Sequence, residues 1–165
     1  MKNVIFIGMP ASGKSTIGVV VAKHLGYDFI DSDLLIQKQE KRLLKDIIAD
    51  VGNEGFLAIE NQVNCDIKAE RAVISPGGSI VYCQEAMEHF KEIGTIIYLK
   101  VSFETINERI SSAKNRGVVL KEGQTLKDLY EERTCLFEKY ADCTISEEGL
   151  SLEETIDKVL ESLKG

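Results

Sequence analysis

The segment Gly8-Met9-Pro10-Ala11-Ser12-Gly13-Lys14-Ser15-Thr16 follows the apolar run Val4-Ile5-Phe6-Ile7 and precedes a stretch of helical period near residues 15–25. No other feature constrains the fold as strongly. A GxxxxGK[ST] pattern between a strand and a helix is built to hold phosphate. Its glycines let the backbone curl so that N–H groups point inward, and the helix adds the positive end of its dipole. Lys14 brings a point charge to the β- and γ-phosphates, and the Ser15 hydroxyl can ligate Mg²⁺. A chance match is expected on the order of one time in a hundred for a chain of this length. With the right context on both sides, the segment reads as a nucleoside-triphosphate site formed by Gly8, Ala11, Ser12, Gly13, Lys14, Ser15 and Thr16.

The rest of the chain alternates short β-branched runs with longer amphipathic stretches. Strands are predicted at 4–7, 27–30, 72–75, 96–99 and 143–145, and helices near 15–25, 33–50, 54–69, 84–92, 103–112, 125–139 and 151–163. Consecutive apolar residues within the strands suit a parallel sheet covered on both faces. The expected class is α/β, an open sheet whose ligand sits at the carboxyl ends of the strands.

Further polar motifs fall at those ends. The second strand runs into Asp31-Ser32-Asp33. One carboxylate can hold the water shell of a metal while the other meets a substrate hydroxyl as base or positioner. An ordinary helix N-cap accounts for the same residues. The third strand ends in Ser75-Pro76-Gly77-Gly78-Ser79, where paired glycines permit close backbone approach to a ligand or a simple turn. A polar segment at about 111–124 carries Arg116 and fits a mobile lid over phosphates, or a solvated loop. Arg133 lies among acids on a helix, where a surface ion pair is the plain reading.

Composition narrows the partners. The 165 residues predict one domain spanning 1–165, and a net charge of −7 disfavours nucleic-acid backbones and anionic membranes. No apolar run approaches the ~18 residues of a membrane span, and the N-terminus has no signal-peptide core, so a cytoplasmic protein is expected. The four cysteines, Cys65, Cys83, Cys135 and Cys143, form no CxxC pair and read as reduced, packed thiols. Nothing fixes an oligomeric state, and a monomer is the default.

Taken in order, these segments resemble the shikimate kinase family of P-loop phosphotransferases. The resemblance runs over nearly the whole chain: the loop Gly8–Thr16, the stretch Phe29-Ile30-Asp31-Ser32-Asp33, the Gly77-Gly78 turn, the lid with Arg116, and Glu132-Arg133 ahead of Tyr140-Ala141-Asp142. It implies a P-loop NTPase fold with five parallel strands in the order 2-3-1-4-5, flanked by helices, with a short mobile lid. It implies ATP and Mg²⁺, with Asp31 near the metal and Asp33 on the hydroxyls of a small acceptor bound by a segment at about 33–60. Arg109 then packs on adenine, Arg116 reaches the phosphates, and Arg133 takes the carboxylate of the acceptor beside Gly77 and Gly78. On this reading Lys14, Asp33 and Arg116 are the catalytic residues.

The departures fall mostly in the acceptor half. Phe56-Leu57-Ala58-Ile59-Glu60 has leucine where the family motif has an arginine that clamps the shikimate carboxylate. Ser79 stands for the third glycine, Arg116-Gly117 for Arg-Pro, and Phe137 for tyrosine. Losing a charge-assisted hydrogen bond of roughly 1.5–3 kcal/mol means ~10–150-fold in affinity. Phosphoryl transfer from ATP to a hydroxyl of a small metabolite is therefore expected, with shikimate first and another polyol or hydroxy acid as the alternative. A regulatory nucleotide-binding protein is the reading from outside enzymes; it has no use for an acceptor-binding carboxylate.

Overall fold

Strand β1 (Asn3–Ile7) is buried along its whole length and lies at the centre of the sheet. The computed structural model describes residues 2–112 and 122–164. On one side β1 pairs with β3 (Ala72–Ser75), which pairs with β2 (Asp28–Asp31); on the other it pairs with β4 (Gly94–Lys100), which pairs with β5 (Cys143–Ser146). Every pairing is parallel, and the order is β2-β3-β1-β4-β5, as the resemblance implied.

Apolar residues run consecutively in these strands because each face has its own cover. Ile5 and Ile7 of β1, with Ile96 and Tyr98 of β4, join a cluster with Met87, Phe90, Ile106, Leu129 and Phe137. Those partners come from α4 (Gln84–Ile93), α5 (Phe103–Ser112) and α6 (Leu126–Tyr140). Val4 and Phe6 point the other way, packing with Ile97, Leu99, Ile17, Val21, Ile156 and Val159. There the cover is α1 (Lys14–Leu25) and α7 (Leu152–Ser162). Capping boxes start α6 at Thr125/Asp128 and α7 at Ser151/Glu154.

The segment expected as one helix at 33–50 and another at 54–69 divides elsewhere. Helix α2 (Ser32–Glu40) stops at Lys41, whose φ of 57° is left-handed, and α3 (Leu44–Cys65) begins three residues later. The side chain of Gln37 reaches across the break and accepts the Leu44 N–H at 3.0 Å, doing for α3 what a capping residue usually does. Helix α3 then runs through the expected gap with only a kink at Gly52, where φ is 75°. Phe56 and Val63 of α3 close a small third cluster with Ile36 and Ile47. After β3 comes a short 3₁₀ turn, Gly78–Tyr82, which periodicity did not suggest.

A buried asparagine ties the amino ends of three strands together. Asn3 Nδ2 donates to the carbonyls of Ala69 at 2.8 Å and Ile93 at 3.1 Å, and its Oδ1 accepts from Ala72 N–H at 2.9 Å. Leucine has a similar volume but would leave all three backbone groups without that partner. Asn3→Leu should lower unfolding free energy by about 2–4 kcal/mol in urea titrations; a loss within 0.5 kcal/mol, roughly the scatter of a neutral surface change, would refute the account.

Candidate active site

The loop after β1 is set for an anion. Gly13, the residue before α1, has φ of 91°, a left-handed conformation open to glycine and unfavourable for most residues. No side chain caps α1 and no acid lies in its first turn, so its positive end is not neutralised from within the helix. Ala11 is itself left-handed, at φ 68°, a strained conformation held by the loop around it. Lys14 is buried, and its Nζ donates to the carbonyls of Gly8 and Met9 at 2.9 Å each. Ser15 and Thr16 are exposed beside a cavity of about 980 Å³, into which the carboxyl ends of β2 and β3 also lead.

At the end of β2 the two acids differ in what they bond, and the N-cap reading fits Asp31. Asp31 is the N-cap of α2, its Oδ1 accepting from Asp33 N–H at 3.0 Å and Leu34 N–H at 3.3 Å. Asp33 is free of that duty and turns toward the turn after β3: a Cβ added to Gly77 would lie 3.0 Å from Asp33 Oδ1. Burial, then the neighbouring Asp31, pushes the Asp33 carboxyl up to about 6 despite the attraction of Lys14. Ser15 and Asp31 both line the cavity and would offer Mg²⁺ a hydroxyl and a carboxylate. That sparse donor set suits a metal that keeps several waters and binds mainly through phosphates; the described residues hold no group of three or more His, Cys, Asp or Glu suited to a metal.

The second wall of the cavity includes the carboxyl group that ends the stretch Phe56–Glu60, to which the motif reading gave no role of its own. Glu60 of α3 is fully buried; Ser79 Oγ donates to its Oε1 at 2.7 Å, while Oε2 has no hydrogen-bond partner among the described residues. The added Cβ of Gly77 would lie 3.2 Å from that Oε2, so Asp33 and Glu60 converge on one glycine. Burial pushes Glu60 up to about 7, and nearby Asp33 adds to the shift, while Ser79 and Arg133 oppose it.

Arg133 is not a helix-face ion pair. It is buried, makes no ion pair among the described residues, and lies with its guanidinium 5.5 Å from the Tyr82 ring centre. Its Nη1 would be 3.1 Å from a Cβ on Gly78, a position where Pro10 Cδ would be only 2.8 Å away. Gly78 thus keeps clear the point where the loop after β1, the turn after β3 and Arg133 meet. Arg109 lines the same cavity and donates to the Ala11 carbonyl at 2.8 Å. Arg116 and residues 113–121 of the expected lid lie outside the described residues.

Two departures from the family pattern lie on the cavity. Leu57 lines it, and Ser79 lines it while holding Glu60. Phe137 does not; it is buried and stacked on Tyr98, with ring centres 5.0 Å apart. Glu147, just after β5, was signalled by no motif. Its Oε1 lies 3.9 Å from the Cβ position of Gly13, its Oε2 has no hydrogen-bond partner among the described residues, and burial pushes its carboxyl up to about 7 against the pull of Arg109 and Lys14. The cysteines are free, and burial pushes the Cys83 thiol up to about 12, far from a reactive thiolate.

A phosphate-binding loop, a converging pair of acids and a buried arginine around one cavity define a P-loop kinase of small molecules. The family model described as Shikimate kinase matches residues 10–164. The shikimate kinase of Thermodesulfovibrio yellowstonii is 36% identical over 97% of this chain and 94% of its own length. Among solved structures, the shikimate kinase of Acinetobacter baumannii in complex with shikimate superposes with a TM-score of 0.91 at 27% identity, covering 99% of this chain and 93% of that one. The shikimate kinase of Aquifex aeolicus gives 0.84 at 32% identity, covering 99% and 96%. The chain belongs to the shikimate kinase family. It is accordingly an ATP-dependent small-molecule kinase working with Mg²⁺. Among the described residues no helix is long and apolar enough to cross a membrane.

The buried acid has a cost in stability. The folded protein holds the Glu60 proton more tightly than the unfolded chain does, so this group's contribution falls as pH rises from the ordinary 4.5 through about 7. Glu60→Gln should therefore stabilise the fold at pH 8 by roughly 1–3 kcal/mol and have little effect at pH 4. Denaturant titrations at both pH values check this; equal effects at both would contradict it.

Proposed function

We propose that the protein transfers the γ-phosphoryl group of ATP to a hydroxyl of shikimate, giving shikimate 3-phosphate. The observation that carries this reading is the convergence of Asp33 and buried Arg133 on adjacent glycines, Gly77 and Gly78, beside the loop that holds Lys14. It is supported by the family to which the chain belongs and by the shikimate bound to the structurally similar protein from A. baumannii.

Each residue then has a part. Backbone N–H groups of Gly8, Ala11, Ser12 and Gly13, with Lys14, Ser15 and Thr16, hold the phosphates of ATP, and Arg109 packs on the adenine. Ser15 and Asp31 would hold the Mg²⁺, which when bound supplies positive charge against the phosphate oxygens. Arg133 takes the carboxylate of the acceptor, and the backbone at Gly77 and Gly78 admits it closely. Asp33 receives the acceptor hydroxyl. As the hydroxyl oxygen bonds to the γ-phosphorus, the bond from that phosphorus to the β–γ bridging oxygen breaks, ADP leaves, and the hydroxyl proton passes to Asp33. With its carboxyl near 6, Asp33 is ionised and able to accept a proton at neutral pH. Arg116 belongs to the lid at about 111–124 and adds positive charge to the transferring group.

The reading is of one domain, with an acceptor-binding segment at about 33–60, acting as a cytoplasmic monomer on a small hydroxylated substrate. Leu57 on the cavity wall favours one alternative, a different polyol or hydroxy acid as acceptor. Coupled ADP release with Mg-ATP and a panel of such compounds separates the two by which acceptor has the highest kcat/KM. Asp33→Asn should lower kcat by about 10²–10⁴-fold while shifting the KM for ATP far less; equal losses in both would remove Asp33 from its role.

A further inference from the structure

The acceptor carries a carboxylate on this reading, and the cavity wall holds few charges to meet it. Among the described residues lining the cavity the cations are Lys14, Lys45, Arg109 and Arg133. Lys14 is bonded to the carbonyls of Gly8 and Met9, and Arg109 to that of Ala11, so both belong to the phosphate-binding loop. Arg133 and Lys45 remain for the acceptor. Against them stand Asp31, Asp33, Glu60 and Glu132, and Leu57 lines the wall where the family pattern has an arginine.

Lys45 is in the first turn of α3, beside Leu44 and Ile48, which line the same cavity. A cation in the first turn of a helix faces the positive end of the helix dipole and is disfavoured there by a few tenths of a kcal/mol or more. No hydrogen bond or ion pair to another described residue compensates; Arg42, close by, pairs instead with Asp50 at 2.9 Å. The side chain is exposed at the mouth of the cavity, on a flexible stem that can swing its ammonium toward a bound anion. Beyond the kink at Gly52, the same helix brings Leu57 and Glu60 to the cavity. One helix therefore supplies both the position that has lost its charge and a position that has one.

We propose that Lys45 supplies the second positive charge for the carboxylate of the acceptor, in place of the arginine absent at Leu57, and so determines acceptor specificity. The assignment rests on shikimate being the acceptor. An ammonium on an exposed stem acts as a point charge and is screened by salt, unlike a planar guanidinium in a buried wall. The KM for shikimate should therefore rise with ionic strength more steeply in the wild type than in a variant without Lys45.

Steady-state kinetics of wild type, Lys45→Met and Lys45→Met/Leu57→Arg, with shikimate and its uncharged methyl ester, test the proposal. Lys45→Met should raise the KM for shikimate about 5- to 20-fold, with kcat and the KM for ATP nearly unchanged. The KM for the ester should be the same in wild type and Lys45→Met, and the double variant should recover the lower KM for shikimate. If the wild type turns over shikimate and Lys45→Met matches it within about twofold (roughly 0.4 kcal/mol), the role of Lys45 is overturned while the acceptor reading stands. Equal weakening toward shikimate and its ester would also overturn it, showing a steric effect. A wild-type protein that phosphorylates neither would overturn the acceptor reading and this assignment with it.

Discussion

The turn after β3 approaches the loop after β1 so closely that a methyl group on Gly78 would sit 2.8 Å from Pro10 Cδ and 3.3 Å from the Gly8 carbonyl. This contact exists because β3 and β1 are hydrogen-bonded neighbours that end at the same edge of the sheet. The rest of the site is built outward from it. Gly77 brings Asp33 and Glu60 together on one side, and Gly78 admits Arg133 on the other. The spacing between the loop and the turn is thereby set by the pairing of two strands rather than by side-chain placement. For phosphoryl transfer, where alignment does most of the work, that is the quantity that has to be held.

Much of this was legible from the residues in order. β-branched runs marked all five strands, and a phosphate loop in strand–helix context marked the site. Strand order came through the family resemblance, since alternation alone does not say which strands are neighbours. The break at residues 41–43 escaped because it depends on a left-handed lysine and on Gln37 capping a helix seven residues ahead, neither of which disturbs the apolar period. Arg133 could not be resolved from spacing: an arginine flanked by acids looks like a surface ion pair, and only tertiary packing buries it against Tyr82. Glu60, though it ends the stretch 56–60, had no role assigned, and Glu147 fell in no motif, for the same reason. Nothing adjacent in the chain buries them.

Three carboxyl groups, Asp33, Glu60 and Glu147, are all held above the ordinary acidic range by burial. Such groups weaken the folded state at neutral pH and are retained where chemistry requires them. Their neighbours divide the task. Lys14 draws on Asp33 and Glu147 together, and Arg133 and Ser79 act on Glu60. Two of the departures from the family pattern, Leu57 and Ser79, thus share the cavity wall with Glu60, and the Ser79 hydroxyl bonds that acid directly.

The kink in α3 lets one helix border the cavity twice. Lys45 and Ile48 lie before Gly52, Leu57 and Glu60 after it, and all four border the same cavity. No atom lies within 4 Å of where a Cβ on Gly52 would be, so the bend is made by the φ of 75° at that residue and not by a side chain wedged against it. Both arms are anchored, Ile47 before the bend and Phe56 and Val63 after it, in one cluster with Ile36. A single left-handed glycine thus does by angle what a second helix would otherwise have to do by position.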